Sequence, residues 1–251
     1  MSFVASTPHV PTFYHTIETL SAALTDVLFT VDQGGIHIGQ FDAKNACLVH
    51  VTFAKFEAFE VSAPHSFGLN LQCLLKVLKT IKVAKQLTLV QSGTATTLEI
   101  RANLADRMVI HKLSTLELGH TYTPPPSKTF DMVASISSAL LYSTLRTMSH
   151  VADTVELYAS QAGSPRKHVE MRAKGSFSDQ YVLFEENENF QLLQHRNPTA
   201  SLGKFDLKTA VKYAKGSNLS KMVTVQASNE LPLNLKYKTN LGTVSFCIAA
   251  E

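Results

Sequence analysis

The constraint that most narrows the fold is a repetition inside the chain. Residues 68–101 read GLNLQCLLKVLKTIKVAKQLTLVQSGTATTLEIR, and residues 202–238 read LGKFDLKTAVKYAKGSNLSKMVTVQASNELPLNLKYK. Each reads as a short strand, an amphipathic helix bearing lysines, a strand, a turn and another strand. A chain of 251 residues that says one thing twice is expected to fold as two similar domains of about 125 residues, each with its own core.

Apolar spacing predicts four helices. The first covers roughly 12–25, with Phe13, Ile17, Leu20 and Leu24 on one face; the second covers 71–82, with Leu71, Leu74, Leu75, Leu78 and Ile81. The third covers 136–149 on the stripe Leu141, Leu145 and Met148. The fourth covers 205–216 on Leu207, Ala210, Val211 and Ala214. Most of the rest alternates as strands do, as in DVLFTVDQGGIHIGQFD (26–42), CLVHVTF (47–53), TVELYAS (154–160), HVEMRAK (168–174) and TVSFCIA (243–249). Turn residues punctuate them at Gly34-Gly35, Ser92-Gly93, Gly163-Ser164-Pro165 and Asn240-Leu241-Gly242. The expected class is α+β, with two helices and antiparallel sheet in each domain.

GHTYTPPPSK (119–128) interrupts the pattern. Three consecutive prolines fit neither a helix nor a central strand and stiffen the chain toward polyproline II. The segment reads as a connector between an N-terminal domain, 1–118, and a C-terminal domain, 129–251.

Composition excludes more than it assigns. No apolar run approaches the ~20 residues of a membrane span, and MSFVASTPHVP lacks the pattern of a signal peptide; an intracellular protein without membrane partners is expected. Cys47, Cys73 and Cys247 are few, odd in number and set in apolar patterns, so buried reduced thiols are expected. With 23 Lys and Arg against 20 Asp and Glu, net charge is only +3. Nucleic-acid binding has to be argued from placement.

That placement is suggestive. On an ideal helix Lys208, Lys212 and Lys215 fall within about 60° of one another, away from the apolar stripe. Lys76 and Lys79 point away from the leucines of their helix, with Lys82 and Lys85 following. Arg146, and His150 just beyond, lie opposite Leu141, Leu145 and Met148. Lysines ordinarily occupy solvated faces, but such faces mix signs because opposite charges at i,i+4 stabilise a helix. Like-signed stripes on three helices, with almost no acid among them, suit sequence-independent phosphate contact. The first helix departs, offering His15, Glu18, Ala22 and Asp26, of which only His15 suits a phosphate.

Catalytic signatures are missing: there is no G-x-x-x-x-G-K-[ST], G-x-G-x-x-G or G-x-S-x-G. His111 and His120 lack zinc-ligand partners, and Glu185, Glu186 and Glu188 read as a solvated loop. A binding protein without metal or cofactor is expected.

Four segments carry a resemblance: IHIGQFDAKNACLVHVTF (36–53), GLNLQCLLKVLK (68–79), LRTMSHVADTVEL (145–157) and NELPLNLKYKTNLGTVSFCIA (229–249). In this order and spacing they resemble the sliding clamps of the proliferating cell nuclear antigen (PCNA) family. The resemblance implies a DNA-clamp fold and a homotrimeric, pseudo-sixfold ring with helices lining the hole. Such a ring encircles duplex DNA, is placed there by a clamp loader, and tethers DNA polymerase and other replication or repair proteins. It would act at replication sites, in the nucleus where the source is a eukaryote or a virus that replicates there. Two neighbouring readings are a subunit of a heterotrimeric checkpoint-type clamp and a clamp-fold processivity factor that closes no ring.

The resemblance assigns DNA contact to Lys76, Lys79, Arg146, His150, Lys208 and Lys215, with Lys212 and His15 added from the helical wheels. It assigns partner-peptide binding to Phe41, Asn45, Ala46, Leu48, the connector around Tyr122–Pro126, Pro232, Ile248, Ala249 and Ala250. For Phe41, Leu48 and Ile248 an ordinary core role stays open. Subunit contacts would join an edge strand at 107–114 (Met108, Val109, Ile110, Leu113) to one at 180–185 (Tyr181, Leu183). The chain departs from the family's pattern in its N-terminal strand, interrupted by Pro8 and Pro11, and in its first helix, which lacks paired lysines. Its proline-rich connector, Ala250 in place of a common proline, and basic pI near 8.7 depart as well. It reads as a divergent member.

Overall fold

The structure, a computed structural model, describes residues 3–92, 96–119, 121–124, 129–160, 168–196 and 201–251. The expected turn at 163–165, Gly93, His120 and connector residues Pro125–Lys128 lie outside the described residues. The chain divides into two compact units. Unit 1 holds residues 1–43, 49–125 and 239–244; unit 2 holds 44–48, 126–238 and 245–251.

The elements of unit 1 are β1 (Phe3–Thr7), α1 (Val10–Ser21), β2 (Asp26–Asp32), β3 (Gly35–Phe41), β4 (Cys47–Phe53), β5 (Ala58–Val61), β6 (His65–Asn70), α2 (Leu71–Ile81), β7 (Gln86–Gln91), β8 (Thr97–Asn103) and β9 (Met108–Ser114). Its sheets run in the orders β5-β1-β7-β8-β9 and β4-β3-β2-β6. Unit 2 repeats this element for element: β10 (Met132–Ser137), α3 (Ser138–Met148), β11 (Thr154–Ala159), β12 (His168–Lys174), β13 (Asp179–Glu185), β14 (Phe190–His195), β15 (Ser201–Asp206), α4 (Leu207–Ala214), β16 (Met222–Ala227), β17 (Leu233–Lys238) and β18 (Gly242–Ile248). The orders β14-β10-β16-β17-β18 and β13-β12-β11-β15 match those of unit 1 strand for strand. This is the expected α+β architecture, built twice.

The repetition reaches single hydrogen bonds. In unit 1 the N–H of Leu71, at the start of α2, donates to the carbonyl of Thr25; in unit 2 the N–H of Leu207, at the start of α4, donates to that of Asp153, both at 2.8 Å. Each helix is capped by the residue ending the preceding strand. Asn70 Oδ1 accepts from the Cys73 N–H at 3.0 Å, and Asp206 Oδ1 from the Thr209 N–H at 2.7 Å. Either cap satisfies a helix-end donor and is worth ~1 kcal/mol.

Within each unit the two helices pack together, α1 on α2 and α3 on α4. Phe13, Ile17 and Leu20 of α1 meet the core with Leu71, Leu74, Leu78 and Ile81 of α2, all essentially inaccessible. Each such side chain contributes roughly 1.5–3 kcal/mol by leaving water.

Three expectations need correction. Pro8 and Pro11 do not interrupt a strand: β1 ends at Thr7, and Pro11 sits in the first turn of α1, where its missing N–H costs nothing. On α4 the inward residue is Tyr213, not Val211; Tyr213 stacks on Phe246 with ring centroids 4.9 Å apart, and its carbonyl accepts from Tyr237 Oη at 3.2 Å. Tyr237 leaves no room beside it, since a Cβ on Gly216 would lie 2.3 Å from its ring. The cysteines also divide: Cys47 and Cys247 are buried, but Cys73 is exposed on α2.

Burial pushes the Cys247 thiol up to about 11, so it holds little nucleophilic thiolate at neutral pH. N-Ethylmaleimide at pH 7 is therefore expected to modify one thiol in the folded protein and three in urea, with Cys73→Ser abolishing the native reaction. Rapid native modification of two or three thiols would contradict this burial pattern.

Candidate nucleic-acid interface

Burying one side of each helix leaves the other to water, and the cations are there. Lys76 and Lys79 are exposed on α2, followed by exposed Lys82, its C-cap, and Lys85. In unit 2 Arg146 is exposed on the last turn of α3, with His150 just beyond; Lys208 and Lys212 are exposed on α4, with Lys215 as its C-cap. The Lys212 ammonium lies 5.0 Å from the centroid of the Tyr213 ring. Lys79, Arg146 and Lys212 stand in last turns, where they also complement the helix dipole.

The faces are less uniformly positive than the sequence suggests. Lys208 Nζ lies 3.7 Å from Asp153 Oδ1, an acid contributed by the loop between α3 and β11. On α1, Glu18 accepts a hydrogen bond from Tyr14 Oη at 2.8 Å, and its other oxygen lies 3.2 Å from His15 Nδ1. Desolvation opposes ionisation of Glu18. The bonds from Tyr14 and His15 and the charges of His15 and Lys79 outweigh it, holding the carboxyl below its ordinary range. The same bond raises the Tyr14 hydroxyl. His15 thus stands next to an acid.

The residues assigned to partner peptides differ in exposure. In unit 1 Phe41 is exposed at the end of β3. The connector lies against the same sheet: Thr123 N–H donates to Gly39 O at 3.0 Å, and Tyr122 Oη is 2.6 Å from His50 Nε2. Burial and the nearby Asp32 charge raise the Tyr122 hydroxyl. A Cβ on Gly39 would lie 2.1 Å from the Thr123 carbonyl, so only glycine admits the connector this close. In unit 2 Leu48 and Ile248 are core, 6% and 1% exposed, while Ala249 and Ala250 are exposed and Pro232 is half-buried. Ala249 N–H donates to Ala46 O at 2.9 Å, and Asn45 holds a left-handed backbone, φ 54°, that suits asparagine.

Two strands end their sheets with apolar side chains outward. On β9 Met108 and Ile110 are exposed and Val109 and Leu113 half-buried; on β13 Tyr181 and Leu183 are exposed. The Arg172 guanidinium sits 4.0 Å over the Tyr158 ring and 6.0 Å from that of Tyr181. It also donates to Glu170 at 2.7 Å, which holds that carboxyl below its ordinary value. Among the described residues no group of three or more His, Cys, Asp or Glu is placed to hold a metal ion.

Sequence reasoning names Glu18 but misses Asp153 and the Tyr122–His50 contact. A residue count over the helices omits Asp153, which lies in a loop; Glu18 was visible on α1, but its tie to Tyr14 and His15 needs the rotamers.

Comparison with known proteins bears on the family and the fold. The family model described as "Proliferating cell nuclear antigen, N-terminal domain" matches residues 9–120, and that described as "Proliferating cell nuclear antigen, C-terminal domain" matches residues 125–251. DNA polymerase sliding clamp 1 of Sulfolobus acidocaldarius is 23% identical over 239 residues, covering 94% of each chain. The crystal structure of Proliferating Cellular Nuclear Antigen from Entamoeba histolytica matches with a TM-score of 0.85 at 19% identity, covering 100% of this chain and 99% of that one. With both halves matched in order, leaving only residues 1–8 and 121–124 outside, the chain belongs to the PCNA family of sliding clamps, as a divergent and non-enzymatic member.

Proposed function

We propose that this chain is a DNA polymerase processivity factor that joins two further copies of itself, edge to edge, into a ring around duplex DNA. The observation that carries this reading is the pair of unlike strand ends in one chain. β9 carries Met108 and Ile110 beside His111 and Lys112, and β13 carries Tyr181 and Leu183 between Asp179 and Glu185. Apolar residues on both and opposite charges suit a head-to-tail contact, which closes into a ring when the rotation allows. Pairing also covers two edges that would otherwise invite aggregation.

The exposed cations at Lys76, Lys79, Arg146, His150, Lys208, Lys212 and Lys215 then meet phosphates without reading bases, with His15 beside them. Topological linkage keeps the polymerase at high local concentration, and weak phosphate contacts allow sliding. Phe41 in unit 1, and Ala249 and Ala250 in unit 2, are left to contact the short peptides of partners, with the connector around Tyr122 alongside Phe41. Leu48 and Ile248 serve these surfaces as core. The protein acts inside the cell where DNA is replicated.

Light scattering at micromolar protein is expected to return three times the chain mass, falling to the monomer in Ile110→Asp or Leu183→Asp; a strict wild-type monomer would contradict ring closure. Replacing Lys208, Lys212 and Lys215 together by alanine is expected to leave the trimer intact, reduce stimulation of a polymerase, and lower the salt dependence of DNA binding by up to about three ions per chain. Unchanged stimulation would mean that this stripe is only a solvated face.

A further inference from the structure

Two residues assigned to phosphate contact each stand beside an acid: Lys208 by Asp153, and His15 by Glu18. Lys208 is the second residue of α4, counted after the cap Asp206, so it faces the positive end of the helix dipole. Asp153 Oδ1 stands 3.7 Å from its ammonium. The acid's position does not depend on that attraction, because the Asp153 carbonyl accepts the first N–H of α4 at 2.8 Å. The two side chains are 83% and 87% exposed, so the ion pair contributes little to stability. Its consequence lies in the potential that an approaching phosphate meets.

We infer that Asp153 is a built-in competitor for the phosphate contact of Lys208, which loosens the grip on DNA and favours sliding over holding. The inference rests on the proposed DNA reading of the helical faces and adds a residue to it. A phosphate reaching Lys208 has to displace the ammonium from Asp153, so the cation is reduced in effect without being removed. Unit 1 holds a counterpart in Glu18, fixed by Tyr14 Oη at 2.8 Å and His15 Nδ1 at 3.2 Å on the helix that packs against α2. Each unit thus holds one acid beside a residue assigned to phosphate contact.

The test is a double-mutant cycle read by fluorescence anisotropy of a short labelled duplex across 50–200 mM salt, roughly the range where counterion release is steep. Asp153→Asn keeps the backbone carbonyl that anchors α4 and removes only the charge; Asp153→Ser is a second variant to the same end. Either should tighten binding about two- to threefold and steepen its salt dependence. Lys208→Ala should weaken binding by a similar factor, and the double variant should match Lys208→Ala alone. If Lys208→Ala weakens binding but Asp153→Asn leaves it unchanged or weaker, the competitor role is overturned and the DNA reading stands. Equal tightening by Asp153→Asn with and without Lys208 also overturns the pairing. If Asp153→Asn, Lys208→Ala and the triple lysine variant all leave binding unchanged, the DNA reading of this face fails and the inference with it.

Discussion

In each unit two helices lie side by side and bury their apolar stripes, and that burial decides what remains outside. Leu71, Leu74, Leu78 and Ile81 fix the rotation of α2 about its axis, and Leu207, Ala210, Tyr213 and Ala214 fix that of α4. Once those rotations are set, Lys76, Lys79, Lys208 and Lys212 have no choice of side. The caps at Asn70 and Asp206 and the bonds from Leu71 to Thr25 and from Leu207 to Asp153 hold the helix starts in register with the strands. Charge placement on this chain is therefore a by-product of core packing, repeated once in each unit.

The net charge of +3 is too small to argue for binding to a polyanion, so the proposed DNA contact rests on where the cations stand. A subset of the cations, Lys76, Lys79, Arg146, Lys208 and Lys212, is exposed on helices that carry almost no acid, while others such as Arg172 and Lys174 share the sheet strands with acids such as Glu170. Among the helices Glu18 stands beside His15 and Asp153 beside Lys208. A ring that must stay on DNA by topology gains nothing from tight phosphate contacts, because retention comes from closure and mobility from weakness. A divergent chain can thus vary its inner charges while keeping its fold.

Much of this was legible in the sequence because it rests on local periodicity. The leucines of α2 repeat at helical spacing, the sequences of β2, β3, β11 and β12 alternate, and the repeat announces two units of one design. What was missed depends on contacts across long separations or on rotamers. Val211 and Tyr213 both border the stripe of α4, and only the ring of Phe246, 33 positions further on, decides for Tyr213. Cys73 is different: on the ideal wheel it lies on the far side from Leu71, Leu74 and Leu78, so its exposure follows from the same local periodicity. Pro11 reads as a strand breaker until the helix starts one residue before it. The closeness of Thr123 to Gly39 and of Asp153 to Lys208 has no local signal at all.

The central claim is that the protein holds DNA by encircling it. Its most direct test is retention on covalently closed circular DNA, followed by gel filtration before and after a single restriction cut. Encirclement predicts co-elution with the circle and release once free ends exist, with retention restored when both ends are blocked by bound protein. Equal retention on cut and uncut DNA, or none on either after loading, would contradict it.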